Sequence, residues 1–235
     1  MIPLHDDNPT RSFPLVTWLI VAINVVVYIL QILSPRGPHP GLVEYAMIPL
    51  EVVTGRQVPP YAPVHPPWLT IFTSMFMHGG LLHIGSNMLY LAIFGNNVED
   101  RLGHFRFLIF YLACGFLAAV AHILSAPFSP VPTLGASGAV AGVLGAYFLL
   151  YPHAHVTCLV FLFFFVTTIQ LPAVIVLGFW IIGQILSASS GAGMQVGGGI
   201  AYWAHIGGFF AGMLLISVMA PSRAPARRRY DRRYW

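Results

Sequence analysis

None of this chain's seven acidic residues interrupts one of its long apolar runs: Asp6, Asp7, Glu44, Glu51, Glu99, Asp100 and Asp231 all lie between or beyond them. A backbone enclosed by hydrocarbon must satisfy its own hydrogen bonds, and an uncharged apolar run of roughly 20 residues does so as a membrane-spanning helix. Six stretches qualify: Leu15 to Leu33, Leu81 to Val98, Phe105 to Leu124, Ser137 to Tyr151, Leu171 to Ser187 and Tyr202 to Met219. With 57% hydrophobic and 8% charged residues, against roughly 25% charged in soluble domains, the chain reads as an all-α polytopic membrane protein. Six transmembrane helices and a long first outer loop, Ser34 to Trp68, are expected. The stretch VTCLVFLFFFVTTIQ before the fifth run is rich in β-branched and aromatic residues. It either extends the fifth span or folds as a re-entrant element.

Arg11, Arg101, Arg106 and the six arginines of PSRAPARRRYDRRYW fall on one side of a six-span chain, with Arg36 and Arg56 on the other. Positively charged loops stay in the cytoplasm, so both termini are expected there and the protein in the cell (inner) membrane. Residues 1–14 then form a cytoplasmic tail, 15–219 the membrane domain, and 220–235 a basic tail. Directly after a span, that tail reads as a topological anchor with affinity for anionic lipid rather than as a nucleic-acid patch. The first run ends in QILSPRGP, without a cleavage site, so it is expected to be retained. Within the first loop, GLVEYAMIPLEVV is expected at the outer interface, with Tyr61 and Trp68 suited to the same depth.

The fourth run is short. Ser137 to Tyr151 makes a helix of about 22 Å against a hydrocarbon core of about 30 Å, so Ser137 sits below the outer surface, and the Pro- and Gly-punctuated loop before it implies a hydrated cavity. His205 heads the sixth run, where an ionisable residue is costly and marks a functional candidate. Gly208 and Gly212 share its helical face, and Gly138 and Gly142 are likewise four apart on the fourth run. Small residues at that spacing let two membrane helices approach closely, which brings the imidazole to the hydroxyl as base to nucleophile. The same small residues also fit plain helix packing, and His205 taken alone fits a structural role. With no acid in any span, a Ser–His dyad is the expected form, without the third carboxylate of a triad. His83 and Asn87, four apart at the head of the second run, supply candidate donors for an oxyanion. His78 reads as a structural hydrogen-bonder. The ten histidines form no H-E-x-x-H zinc motif, and neither a metal nor an organic cofactor is expected.

HGGLLHIGSN at the second run, NNVEDRLG after it, GASGAVAG at the fourth and AHIGGFFAG at the sixth together resemble the rhomboid intramembrane serine proteases of bacterial type, from Leu15 to Met219. The resemblance implies a six-helix bundle in which Ser137 is the nucleophile and His205 the general base. His83, Asn87 and the Ser137 backbone N–H form the oxyanion hole, and Gly135 shapes the turn. Glu99 and Arg101 are implied as a structural pair steadying the second and third spans. The partners implied are the lipid bilayer and single-span membrane proteins, cut near their outer end through an acyl-enzyme, with a small residue preferred before the scissile bond. The alternative from another class is an inert rhomboid-like protein that escorts membrane clients, and a transporter is a more distant one.

Overall fold

The computed structural model describes residues 1–34, 44–58, 66–162, 165–190 and 200–220. Arg36, Tyr61 and the arginines of the C-terminal tail lie outside them. The chain starts with strand β1 (Ile2–Asp6) and helix α1 (Leu15–Ile32), followed by the short helices α2 (Pro49–Thr54) and α3 (Thr70–Thr73). Helices α4 (Leu81–Leu102), α5 (His104–Ser125) and α6 (Ser137–Leu150) precede strands β2 (His155–Leu162) and β3 (Phe165–Pro172). Helices α7 (Ala173–Ser189) and α8 (Tyr202–Met219) complete the order.

Among the described residues, three helices, α1, α5 and α8, are long and apolar enough to cross a membrane, and α6 and α7 are shorter apolar helices. Their outward faces stay greasy: Val26 and Leu30 on α1, Ile182 on α7, and Leu214 and Val218 on α8 are all exposed. A soluble protein would bury such side chains, whereas lipid accepts them. Inside, α6 is enclosed along most of its length, with every residue from Gly138 to Tyr147 buried. Phe94 of α4 meets the Tyr147 ring edge-on, at 4.9 Å between centroids and 75°.

The Val/Thr/Phe-rich stretch does not extend the helix of the fifth run, which starts at Ala173. It forms an antiparallel hairpin in which His155 pairs with Pro172 and Leu162 with Phe165. β-branched and aromatic side chains suit a pleated surface, and the alternation buries Val156 and Cys158 on one face. The opening residues supply a third strand, β1, paired antiparallel to β2 with a register shift between Pro3 and His5. Proline cannot donate to a ladder, and the sheet accommodates Pro3 on its edge strand. Asp6 at the end of β1 accepts hydrogen bonds from Asn97 of α4 and from the Tyr147 hydroxyl of α6. The first residues are therefore woven into the bundle.

The VED segment at the end of α4 does the corresponding work for α1. A helix leaves its first N–H groups without intrahelical partners, and α1 has no side-chain cap of its own. Glu99, 1% exposed, takes the N–H groups of Val16 at 2.8 Å and Thr17 at 2.7 Å, and the Thr17 hydroxyl at 2.6 Å. It also bonds His104 Nδ1 at the start of α5. Its negative charge at the positive end of the α1 dipole adds to this. The steadying role read from NNVEDRLG thus falls on α1, α4 and α5 together. Asp100 anchors the approach to α1 by accepting from the N–H groups of Arg11 and Ser12. Glu99→Ala strands the α1 donors in an apolar setting and is expected to destabilise the folded chain by about 3 kcal/mol, read as a lowered midpoint of thermal unfolding in detergent.

Ala46, Met47 and Ile48, part of the loop segment expected at the outer interface, are each 1% exposed. Met47 pairs by both backbone groups with Thr133, which ties the first loop to the approach to Ser137. Trp68 is exposed.

Candidate active site

Ser137 is the first residue of α6, His205 lies in the first turn of α8, and His83 in the first turn of α4. Three helix N-termini converge at one end of the bundle, each bringing the positive end of its dipole. Ser137 Oγ stands 2.8 Å from His205 Nε2.

Glycine makes that approach possible. A side chain at Gly208 would land on the Gly138 carbonyl oxygen, one at Gly212 on the Gly142 carbonyl oxygen, and one at Gly145 on the Phe209 carbonyl oxygen. Helices α6 and α8 therefore touch backbone to backbone over two turns, and the Ser137–His205 contact sits at the head of this seam. On its other side α6 packs as closely against α5, where a Cβ at Gly138 would meet Ala118 Cβ at 2.7 Å.

Gly135 is required for a different reason. Its φ of 123° is open to glycine and strained for other residues. A Cβ there would stand 2.7 Å from both Cε1 and Nε2 of His83. Its N–H donates to the Ser74 carbonyl at 2.9 Å, holding the turn that delivers Ser137. The His83 ring consequently rests against the turn just before the hydroxyl, and its Nδ1 accepts from the Gly79 N–H at 3.4 Å. Asn87, one helical turn on, is 6% exposed, and its Nδ2 meets no acceptor among the described residues. A buried donor left in this way is costly and is ready for an oxygen arriving at the site.

His78 is fully buried, its backbone clasped by Gln31 of α1 through both N–H and carbonyl. A cavity of about 40 Å³ lies beside Ser137, lined by Met47, Ser74, Met75, His122, Thr133 and Ala204 among others. It has room for about one water molecule or a small side chain.

One neighbour of the pair was not singled out from the sequence. Gln184 of α7 places Oε1 2.7 Å from His205 Nδ1, and Trp180 lies against the same imidazole at 5.8 Å between centroids and 33°. The signal was there: Gln184 is the one polar side chain of α7 before Ser187, four positions after a tryptophan and hence on its face.

Fold and site together define a polytopic membrane protein with a serine–histidine pair enclosed at one end of a helical bundle. The Rhomboid domain family matches residues 65–222, more than half of the chain, and the chain belongs to that family. Among its relatives, "Rhomboid protease GluP" of Bacillus subtilis is 43% identical over 84 residues, 36% of this chain and 16% of that protein. "Rhomboid protein 1, mitochondrial" of Saccharomyces cerevisiae is 34% identical over 151 residues, 62% of this chain and 40% of that one. "Putative rhomboid protease YdcA" of Bacillus subtilis is 27% identical over 140 residues, 60% of this chain and 64% of that one. The chain thus spans less than half the length of the first two. Membership supports an intramembrane protease or rhomboid-like function.

Proposed function

We propose that this chain is an intramembrane serine endopeptidase that cuts single-span membrane proteins near their outer end. What carries the reading is the 2.8 Å contact between Ser137 Oγ and His205 Nε2, made between two helices at the partly buried head of a membrane bundle. In this reading the chain crosses the bilayer six times with both termini cytoplasmic. Residues 15–219 form the protease unit in the cell membrane, and 220–235 a basic anchor.

Ser137 Oγ attacks the scissile carbonyl carbon while its proton passes to His205 Nε2, since a serine hydroxyl is a weak nucleophile until a base takes that proton. The carbonyl oxygen becomes an oxyanion, met by His83, the Asn87 amide and the Ser137 backbone N–H at the positive end of α6. Collapse breaks the C–N bond. The leaving amine takes the proton from the imidazolium, and an acyl ester remains on Ser137. Water then attacks that ester, its proton going to His205 Nε2, and the second collapse returns the proton to Ser137 and frees the carboxylic acid.

A substrate helix must unwind to expose its carbonyl, so spans weakened by Gly or Pro are favoured. The small cavity beside Ser137 suits a small residue before the cut. In liposomes, a reporter with one transmembrane span is expected to be cut once, toward its outer end, by the wild-type chain. Binding of the reporter without cleavage would replace the protease reading with that of an inert client escort.

A further inference from the structure

The Ser–His pair has a third member that is not an acid. We infer that Gln184 is a positioning residue that sets the tautomer of His205, doing with a neutral amide what a carboxylate does in a Ser–His–Asp triad. The inference rests on the protease reading above.

A neutral imidazole carries one N–H, on either nitrogen. For Nε2 to receive the Ser137 proton it must present a lone pair, so the ring proton has to reside on Nδ1. The alternative tautomer turns an N–H toward the hydroxyl and cannot act as base. An amide carbonyl oxygen only accepts hydrogen bonds, so Gln184 Oε1 at 2.7 Å from Nδ1 selects the Nδ1–H form. Trp180, one turn earlier on the same face of α7, lies against the ring and limits its rotation.

Both ring nitrogens are thereby engaged, Nε2 by Ser137 and Nδ1 by Gln184. The other titratable groups close enough to act on His205 are also imidazoles, His83 of α4 and His122 of α5. A carboxylate at the orienting position would stabilise the imidazolium more strongly, but it would have to be held charged in an apolar setting, which carries a desolvation penalty. A glutamine orients the ring without that desolvation. It also explains how a chain with no acid in its apolar runs keeps its base in register.

The test uses full-length protein in liposomes with the single-span reporter. Wild-type cleavage that is absent in Ser137→Ala establishes the underlying reading separately, and equal inactivity of the two would sink both. Gln184→Met keeps the volume and removes the acceptor. It is expected to lower kcat about tenfold with KM changed less than about twofold, at an unchanged midpoint of thermal unfolding. Gln184→Glu is expected to recover kcat relative to Gln184→Met above neutrality. It should also move the acid limb of the kcat/KM profile to higher pH, because a carboxylate beside the ring favours the imidazolium. A merely structural role for Gln184 would leave kcat at the wild-type value in Gln184→Met wherever the unfolding midpoint is kept. Wild-type kcat in Gln184→Met, or an unshifted limb in Gln184→Glu, overturns the inference.

Discussion

In the protease reading, fluorophosphonate labelling of the wild-type chain is expected to disappear in Ser137→Ala, and hydrolysis of a single-span reporter to fall on the order of 10⁴-fold or more. His205→Ala is expected to give a loss of similar size. The proposed mechanism makes the two side chains a unit, since the hydroxyl is a weak nucleophile without the base and the base has nothing to activate without the hydroxyl. Ser137→Ala deletes one hydroxyl at a helix start and is expected to keep its unfolding midpoint, whereas His205→Ala also loses the contacts with Trp180 and Gln184 and is expected to unfold earlier. A loss of activity at constant stability in Ser137→Ala assigns the chemistry to the hydroxyl. Labelling that persists in Ser137→Ala places the nucleophile elsewhere and ends the protease reading.

Gly212→Val has the largest expected effect on the fold. Its Cβ would coincide with the Gly142 carbonyl oxygen, and the obstacle is helix backbone, which cannot rotate aside as a side chain can. Helices α6 and α8 must part or slide. Overpacking of a tight contact costs about 1–3 kcal/mol, and with backbone on the far side the loss is expected at or above the upper end of that range. Activity falls with it, because the same seam holds Ser137 against His205. Gly183→Ala on α7 is the control: nothing lies within 4 Å of its Cβ position. The gain in helix propensity leaves its stability unchanged or raises it by about 0.5–1 kcal/mol. If Gly212→Val unfolds at the wild-type midpoint, the backbone contact is not what holds the two helices together.

The parts of the site that could be read from the sequence are those whose geometry is local. Gly138 with Gly142 and Gly208 with Gly212 are four apart, so helical periodicity alone puts each pair on one face, and a matching pair on another helix invites close packing. His83 and Asn87 are related in the same way. Their convergence follows once each helix is known to begin at the same end of the bundle. Gln184 escaped because its meaning lies in one contact with a ring on a different helix. Taken by itself, a glutamine in an apolar run is equally at home hydrogen-bonding its own helix.

Glu99 shows the other limit. Its presence after the second run was legible, and so was a steadying role. That it reaches back across 82 and 83 residues to cap α1 depends on where two distant chain segments come to rest. The β-hairpin is a similar case. VTCLVFLFFFVTTIQ has the composition of a strand, but whether strands form depends on a partner, and here β1 at the very start of the chain supplies the third.

By itself the sequence determined the solvent and marked where helices meet: apolar runs free of acids require a bilayer around hydrogen-bonded helices, and glycine spacing marks where two helices can touch. Only the tertiary structure decided which groups complete the pair. Hydrophobic runs and spacing act over one or two helical turns, whereas the Nδ1 partner of His205, the α1 cap and the third strand depend on hydrogen bonds between segments far apart in the chain. Those bonds have direction and exist only after the helices have packed.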